Sequence, residues 1–562
     1  MRINFSIYMK SILLKIFFCA FLFFQLSNLH AQNFTHQASV IEFLDRMAQK
    51  GNIVFNDLKK PVDRAIVYNL LAQLQNKNNL LPIEKKELAF YITLYKFDNV
   101  NKFDNVNDTI ISSKSNDYKF SYLHKNITYG PHVFTYTDKD FRVIADPIFE
   151  TSFKTFSKHS LLTSTGFQIM GYAGKRVGFQ ISFRDINETG DIDSIRFENT
   201  LPGINKKQTT SNNLLNYSQL NVTLSYRFNK GMITLGQDQH VLGYGKMGNI
   251  VLSDKAPSYP FVQLQYQPTP WIKFNYMHAW LQSGVLDTKQ TYSLDNTVYG
   301  GQREFYVSKF LATHYVEIFP MKGLSFNVGE SIVYTDHLEP AYLIPISFFK
   351  AYDNSKFGDK ITAGANGQFF AGVSSRNQIP KTHLYAQAFM DEIRARSIFN
   401  EIESRNQFAY QLGASVTDVY FPTLTLSTEY ARINPFVYRN FIPAQNYTHA
   451  SYPLGDWMGS NADRIFLSAQ YKPMPTISVK TFYMHMAKGG QGSVEQQYFG
   501  QPQLKFGYDP IYKSTQIGLE AYYELFNNLQ LRLSHIRTAQ WLNLQKGTFN
   551  TITSLGIIWS QF

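Results

Sequence analysis

In the stretch YSQLNVTLSYRF, residues 217–228, apolar and polar residues alternate without a break from Leu220 onward. Leu220, Val222, Leu224, Tyr226 and Phe228 share one face, and Asn221, Thr223, Ser225 and Arg227 share the other. Successive side chains of a strand point to opposite sides, so a period of two describes a ribbon with one face in an apolar medium and one in water. The run is about as long as the roughly 9–11 residues a tilted strand needs to cross a bilayer. As one stave of a transmembrane barrel it predicts further staves along the chain and a secretion signal ahead of them.

Both expectations are met in the sequence. Val177, Phe179, Ile181 and Phe183 alternate with Arg176, Gly178, Gln180 and Ser182, and Ile272, Phe274, Tyr276 and Trp280 lie opposite Lys273 and Asn275. Similar runs occupy residues 408–416, 424–430, 465–471, 517–525 and 529–533. With weaker candidates they predict about 18 antiparallel strands, an even number as bacterial barrels have. Short links such as Asn229-Lys230-Gly231 suit periplasmic turns, whereas residues 185–213 and 284–303 suit long outer loops. The chain closes on Phe562, a terminal aromatic of the kind that barrel-insertion machinery reads.

At the start, Arg2, Lys10 and Lys15 precede the apolar run 16–26 and Leu29-His30-Ala31, which describes a signal peptide over residues 1–31. Cys19, the only cysteine, lies in that run behind Phe18, where a lipidation site needs a small residue, so neither a lipid anchor nor a disulfide framework is expected. Hydrophobic residues make up 44% of the chain and no later stretch supplies about 18 continuous apolar residues, which excludes a bundle of membrane helices. The 36 Tyr and 47 Phe are instead what two interfacial girdles demand. The net charge of +12 is scattered, with no dense basic patch, so no nucleic-acid partner is expected.

Residues 39–95 are periodic in the helical sense. Val40, Phe43, Leu44 and Met47 form one stripe behind a Ser39/Glu42 capping box; Val67, Leu70, Leu71 and Leu74 a second behind Asp63; Leu88, Tyr91, Ile92 and Tyr95 a third behind Pro82. The predicted fold is therefore an all-β transmembrane barrel over residues 111–562 with a small periplasmic helical bundle and linker over residues 32–110. The bundle is expected to pack on itself and on the barrel rim. The hexapeptide of residues 96–101 recurs at 102–107, as a linker tolerates.

Signals for catalysis are sparse. His449-Ala450-Ser451 has a His-x-Ser spacing like that of outer-membrane phospholipases, but Tyr452-Pro453 follows in place of the rest of such a motif. His124 and His132 are spaced unlike metal ligands, and Asp185, Glu188, Asp191 and Asp193 lack the order of a calcium loop. The expectation is no enzyme activity, no metal and no cofactor. Two stretches instead combine Gly, Asn, Arg and Tyr, the groups that hold sugars through ring faces and hydrogen bonds.

These two stretches carry a family resemblance. VLGYGKMGNIVLSDKAPSYPFVQLQY, residues 241–266, and ARINPFVYRNFIPAQNYTHASYPLGDWMGSNADRIFLSAQYKP, residues 431–473, resemble two signatures of the capsule assembly Wzi family as it occurs in Bacteroidetes-type bacteria. FLDRMAQKGNI and KPVDRAIVYNLLAQL resemble its N-terminal part, and some members resemble the gliding-motility protein RemB. Lys246 and Arg464 depart from the family pattern, which has a non-basic residue and an acid there. The resemblance implies an integral outer-membrane barrel of about 18 strands, without catalysis, for attachment or assembly of surface polysaccharide, with a role in gliding motility for RemB-like members. The expected contacts are the polysaccharide, outer-membrane lipid and lipopolysaccharide, the insertion machinery during biogenesis, and a periplasmic or motility partner. The candidate glycan-binding residues are Tyr244, Lys246, Asn249, Arg432, Tyr438, Asn446, Tyr447, His449, Asn461 and Asp463. The competing functions are a transport porin and, third, a lipid or glycan hydrolase.

Overall fold

The computed structural model describes residues 34–35, 38–98, 132–138, 140–155, 159–190, 202–204, 208–211, 214–295, 298, 300–357, 364–392, 407–500, 503–526, 529–542 and 547–559. The expected signal peptide, His124, Asp191, Asp193, Phe562, the domain boundary at residue 110 and most of the repeated hexapeptide lie outside these residues.

Eighteen antiparallel strands form a closed barrel. Each pairs with its neighbours along the chain, and the last, Thr548–Trp559, pairs with the first, Phe141–Thr155, from Trp559 opposite Phe149 to Thr553 opposite Thr155. Closure removes the free edges that hydrocarbon would leave unpaired. Among the described residues no helix is long and apolar enough to cross a membrane.

The alternation read from Leu220 onward sets the faces. On strand Leu214–Phe228, Leu220 and Leu224 are 38% and 44% exposed on the outside while Thr223 and Ser225 are buried inside. The apolar side chains therefore face outward, as a bilayer requires. Tyr266, Trp271 and Tyr471 are exposed near the short turns, and Tyr306 and Phe549 near the opposite rim, as girdles should be. Leu224→Arg is expected to destabilise the barrel by about 2–4 kcal/mol, read as lower urea resistance of protein folded into lipid vesicles; unchanged resistance would reverse the facing assignment.

Several strands run higher than alternation predicts. Residues 185–190 and 284–286, expected in loops, continue strands Val177–Gly190 and Ile272–Leu286, since backbone pairing such as Asp185 opposite Ser218 persists where both faces are polar.

On one side of the barrel the strands are joined by tight turns at residues 174–176, 229–230 and 322–323, on the other by long connections such as 239–258, 336–365 and 434–461. The three N-terminal helices are α1, Ala38–Gln49; α2, Arg64–Gln75; and α3, Pro82–Leu94. Their predicted stripes pack together, with Val40, Phe43, Leu44, Val67, Leu71 and Tyr91 in one core. Asp63 caps α2 by accepting from Ala65 N and Ile66 N at 2.8 and 3.3 Å. The helix α1 begins at Ala38, so Ser39 lies in its first turn and does not cap it. The bundle sits against the turn-side mouth: Gln49 Nε2 donates to Ser415 Oγ at 3.1 Å, and Lys50 Nζ pairs with Asp418 at 2.7 Å.

Candidate functional site

Two long connections from the far rim turn inward and fill much of the lumen. Residues 239–258 reach down to the helical plug. Val241 and Leu242 pair antiparallel with Lys60 and Lys59, Gly243 N donates to Leu58 O at 2.7 Å, and Tyr244 Oη donates to Asn56 Oδ1 at 2.8 Å. Gly243 holds φ of +153° where Asn249 and Gln387 leave no room for a Cβ, so only glycine fits. Residues 434–461 pack on the first connection. Tyr438 Oη donates to Ile250 O at 2.6 Å, Tyr447 Oη to Val251 O at 3.0 Å, and Trp457 Nε1 to Met247 O at 2.9 Å.

Charges buried in two clusters fasten this assembly. Arg376, at the turn-side end of strand Asn366–Arg376, donates to Asp45 of α1 at 2.8 Å and to Asp57. Lys246 Nζ lies 3.1 Å from the other oxygen of Asp45. Burial alone would push the Asp45 carboxyl up, but Lys246 and Arg376 more than reverse this and hold it well below the usual carboxylate range. In the second cluster Arg464, fully buried, grips Asp456 through two bonds of 3.0 Å and Glu429 through a third of 3.0 Å. The other Glu429 oxygen accepts from Lys246 N and Tyr385 Oη, both at 2.7 Å. Lys246 thus touches both clusters, one through its ammonium and one through its backbone.

Between the inward connections, α1 and one side of the wall lies a cavity of 660 Å³. Gln180, Arg184 and Asn221 enter it from the wall, and Trp457, Phe482 and Tyr522 supply aromatic surface. Its lining holds five cations and five carboxylates, so it suits a hydroxyl-rich molecule better than a polyanion.

A family model described as capsule assembly protein Wzi matches residues 163–551, more than half of the chain. The chain belongs to the capsule assembly Wzi family. With its closed barrel this makes it an integral outer-membrane protein with a polysaccharide-related role. Wzi of Escherichia coli, described as an outer-membrane protein involved in group 1 capsule assembly and a carbohydrate-binding β-barrel, superposes with a TM-score of 0.55 at 12% identity, over 95% of this chain and 100% of that one. At that identity the likeness establishes the fold. OpdK of Pseudomonas aeruginosa, crystallised with vanillate, has a TM-score of 0.43 at 10% identity over 74% of this chain and 98% of its own, and OprD of the same organism 0.40 at 12% over 74% and 94%. No curated protein matches by sequence.

Of the ten candidate residues in this Wzi family member, Tyr244, Lys246 and Asn249 line the cavity. The other seven do not. Tyr438 and Tyr447 hold one connection to the other as described, and Asn249 itself turns its amide oxygen to Gly245 N at 2.8 Å. Arg432 stacks its guanidinium 3.7 Å from the Phe506 ring centroid. Asn446 accepts from Asn440 N at 2.8 Å and, through its carbonyl, from Lys309 Nζ at 2.7 Å. Asn461 bridges Gly490 O and Gly507 N, both at 2.8 Å, and Asp463 accepts from Tyr430 Oη at 3.3 Å. His449 is buried with Nδ1 accepting from Gln282 N at 3.0 Å, while Ser451 is exposed. His132, weighed as a metal ligand, instead bonds Asp146 at 2.7 Å.

Sequence reasoning missed Arg376, Asp45, Glu429 and Asp456. For Arg376 and Glu429 the sequence signal is a charge on the lumen-facing register of a strand; Asp45 lies on the face of α1 opposite its apolar stripe and Asp456 in the connection 434–461, where no periodicity marks a partner.

Proposed function

We propose that this Wzi family member is a non-enzymatic outer-membrane anchor or assembly factor that holds a surface polysaccharide, with the 660 Å³ cavity as the sugar-contacting site. The observation that carries this reading is a lumen occupied by a helical plug and two interlocked connections, which leaves a walled polar and aromatic cavity where a porin has an open bore. The carbohydrate binding described for Escherichia coli Wzi supports it, as does the His449 ring being engaged by a backbone amide and not by Ser451. Tyr244, Lys246 and Asn249 are then ligand-facing, and Tyr438, Tyr447 and Asn461 are struts that shape the site. A part in gliding motility rests on the existence of RemB-like members in the family, and spreading of a deletion strain on soft agar tests it.

The test pairs binding of cell-surface glycan to the purified protein with single-channel conductance of the same preparation. Saturable binding with negligible conductance is expected. Asn221 lines the cavity wall, and Asn221→Leu should weaken binding about 2- to 10-fold, the worth of one hydrogen bond. Steady conductance without glycan binding would overturn the proposal in favour of a pore.

A further inference from the structure

One flank of the barrel breaks the rule that outward side chains are apolar. On strands Ile272–Leu286, Tyr306–Met321 and Leu324–Thr335 the odd-numbered residues face the lumen, as Met277, Leu311 and Val333 do in the lumenal core. The outward positions include His278, His314 and Glu330, yet His278 and Glu330 are 1% and 3% exposed. Their cover is residues 336–357, which fold back down over the outside of the wall.

The contacts are specific. Tyr276 Oη donates to Tyr342 O at 2.9 Å, and Tyr342 packs on Tyr334 with ring centroids 4.7 Å apart. His278 Nε2 and Tyr334 Oη are 2.8 Å apart, and His314 Nε2 lies 3.2 Å from Glu330. Helix α4, Phe349–Phe357, starts on the wall itself: Glu330 accepts from Phe349 N at 2.7 Å and Lys350 N at 3.3 Å, capping the helix with a carboxylate from the strand.

Depth follows from the strand. Glu330 stands six residues beyond Leu324, where the strand leaves its turn; at about 3.3 Å per residue and a tilt of about 40° this is roughly 15 Å, inside an apolar band about 25 Å tall. Phe326 and Val328, just below on the same face, are 44% and 56% exposed. The outer edge of the connection continues their surface, with Leu343, Ile344, Ile346 and Phe348 at 40%, 52%, 84% and 56% exposure. Phe348 lies 6.0 Å from Phe369, above an apolar groove of 520 Å³ floored by Ala371, Ala386 and Ala388. The charges nearby are matched internally, Lys350 with Asp353 at 3.1 Å and Lys356 with Glu339.

We propose that residues 338–348 are immersed in the acyl region of the outer leaflet, forming with the groove below a seat for lipid chains that shields His278, His314 and Glu330. Continuity with the lipid-facing band, and the pairing of Glu339, the single charge within residues 338–348, with Lys356, select acyl chains as the occupant.

Because the only cysteine is Cys19, single nitroxide labels can be introduced by Ile346→Cys, with Leu224→Cys as the lipid-facing reference and Val298→Cys, 98% exposed, as the water-facing one. In protein reconstituted into phospholipid vesicles, the label at position 346 should collide readily with oxygen and several-fold less with a water-soluble nickel chelate than the label at 298, matching 224. Chelate access equal to that at 298 would overturn the proposal. So would protection from both reagents, which would mean that a second copy or another protein covers the surface.

Discussion

Arg376→Met is expected to unseat the helical plug. The side chain is 3% exposed and lies between Asp45 and Asp57, themselves 5% and 7% exposed. Methionine keeps most of the packing against Tyr244 and Phe55 but leaves two buried carboxylates short of a cation, a change that costs about 3–5 kcal/mol. Lys246 and Lys60 remain near the two acids at 3.1 Å, so the barrel should still fold while α1 to α3 loosen. The readouts are a rise in single-channel conductance and faster protease cleavage of the bundle, both reduced in Arg376→Lys. An unchanged plug in Arg376→Met would show that apolar packing alone holds it. Mild acid should not imitate the mutation. The Asp45 carboxyl is held below its unfolded value, so the folded form binds fewer protons near pH 4 and its contribution is complete above about 3.9 and fades only below that.

Arg464→Met should have an effect of similar size in the second cluster. Here one guanidinium satisfies Asp456 and Glu429 at once, and all three groups are nearly inaccessible. Removing it strands two carboxylates at a cost of about 3–5 kcal/mol and frees Trp457, whose ring lies 5.3 Å from the guanidinium carbon. The expected result is release of residues 434–461 from residues 239–258, seen as loss of glycan binding and a lower unfolding midpoint. Asp456→Asn with Glu429→Gln in the Arg464→Met background should recover part of the stability, because it removes the uncompensated charges. Failure of that recovery would locate the loss in packing instead.

The barrel was legible because its cause is local. Two neighbours on either side suffice to say that Leu224 and Ser225 face opposite media, and repetition of that pattern requires closure. The three helices were legible for the same reason, since Leu70, Leu71 and Leu74 lie on one stripe whatever they pack against. The candidate site was legible only as two stretches. Their residue types suggested sugar contact, but most of the ten named side chains hold one connection to another.

His278 and Glu330 show the limit most plainly. Alternation assigns them to the outer face and polarity denies it, and only the folded-back residues 336–357 reconcile the two. The same holds for the plug, where Asp45 meets Arg376 across 331 positions of sequence. Periodicity over a few residues suffices to establish that this chain crosses a membrane with strands, which of their faces meets lipid, and that helices precede the barrel. That two connections turn inward, that one folds over the outer wall, and which charges meet in the lumen emerge only from the folded chain. Those outcomes depend on pairing between distant residues whose burial is favourable only when both partners arrive, and no local pattern encodes the partner.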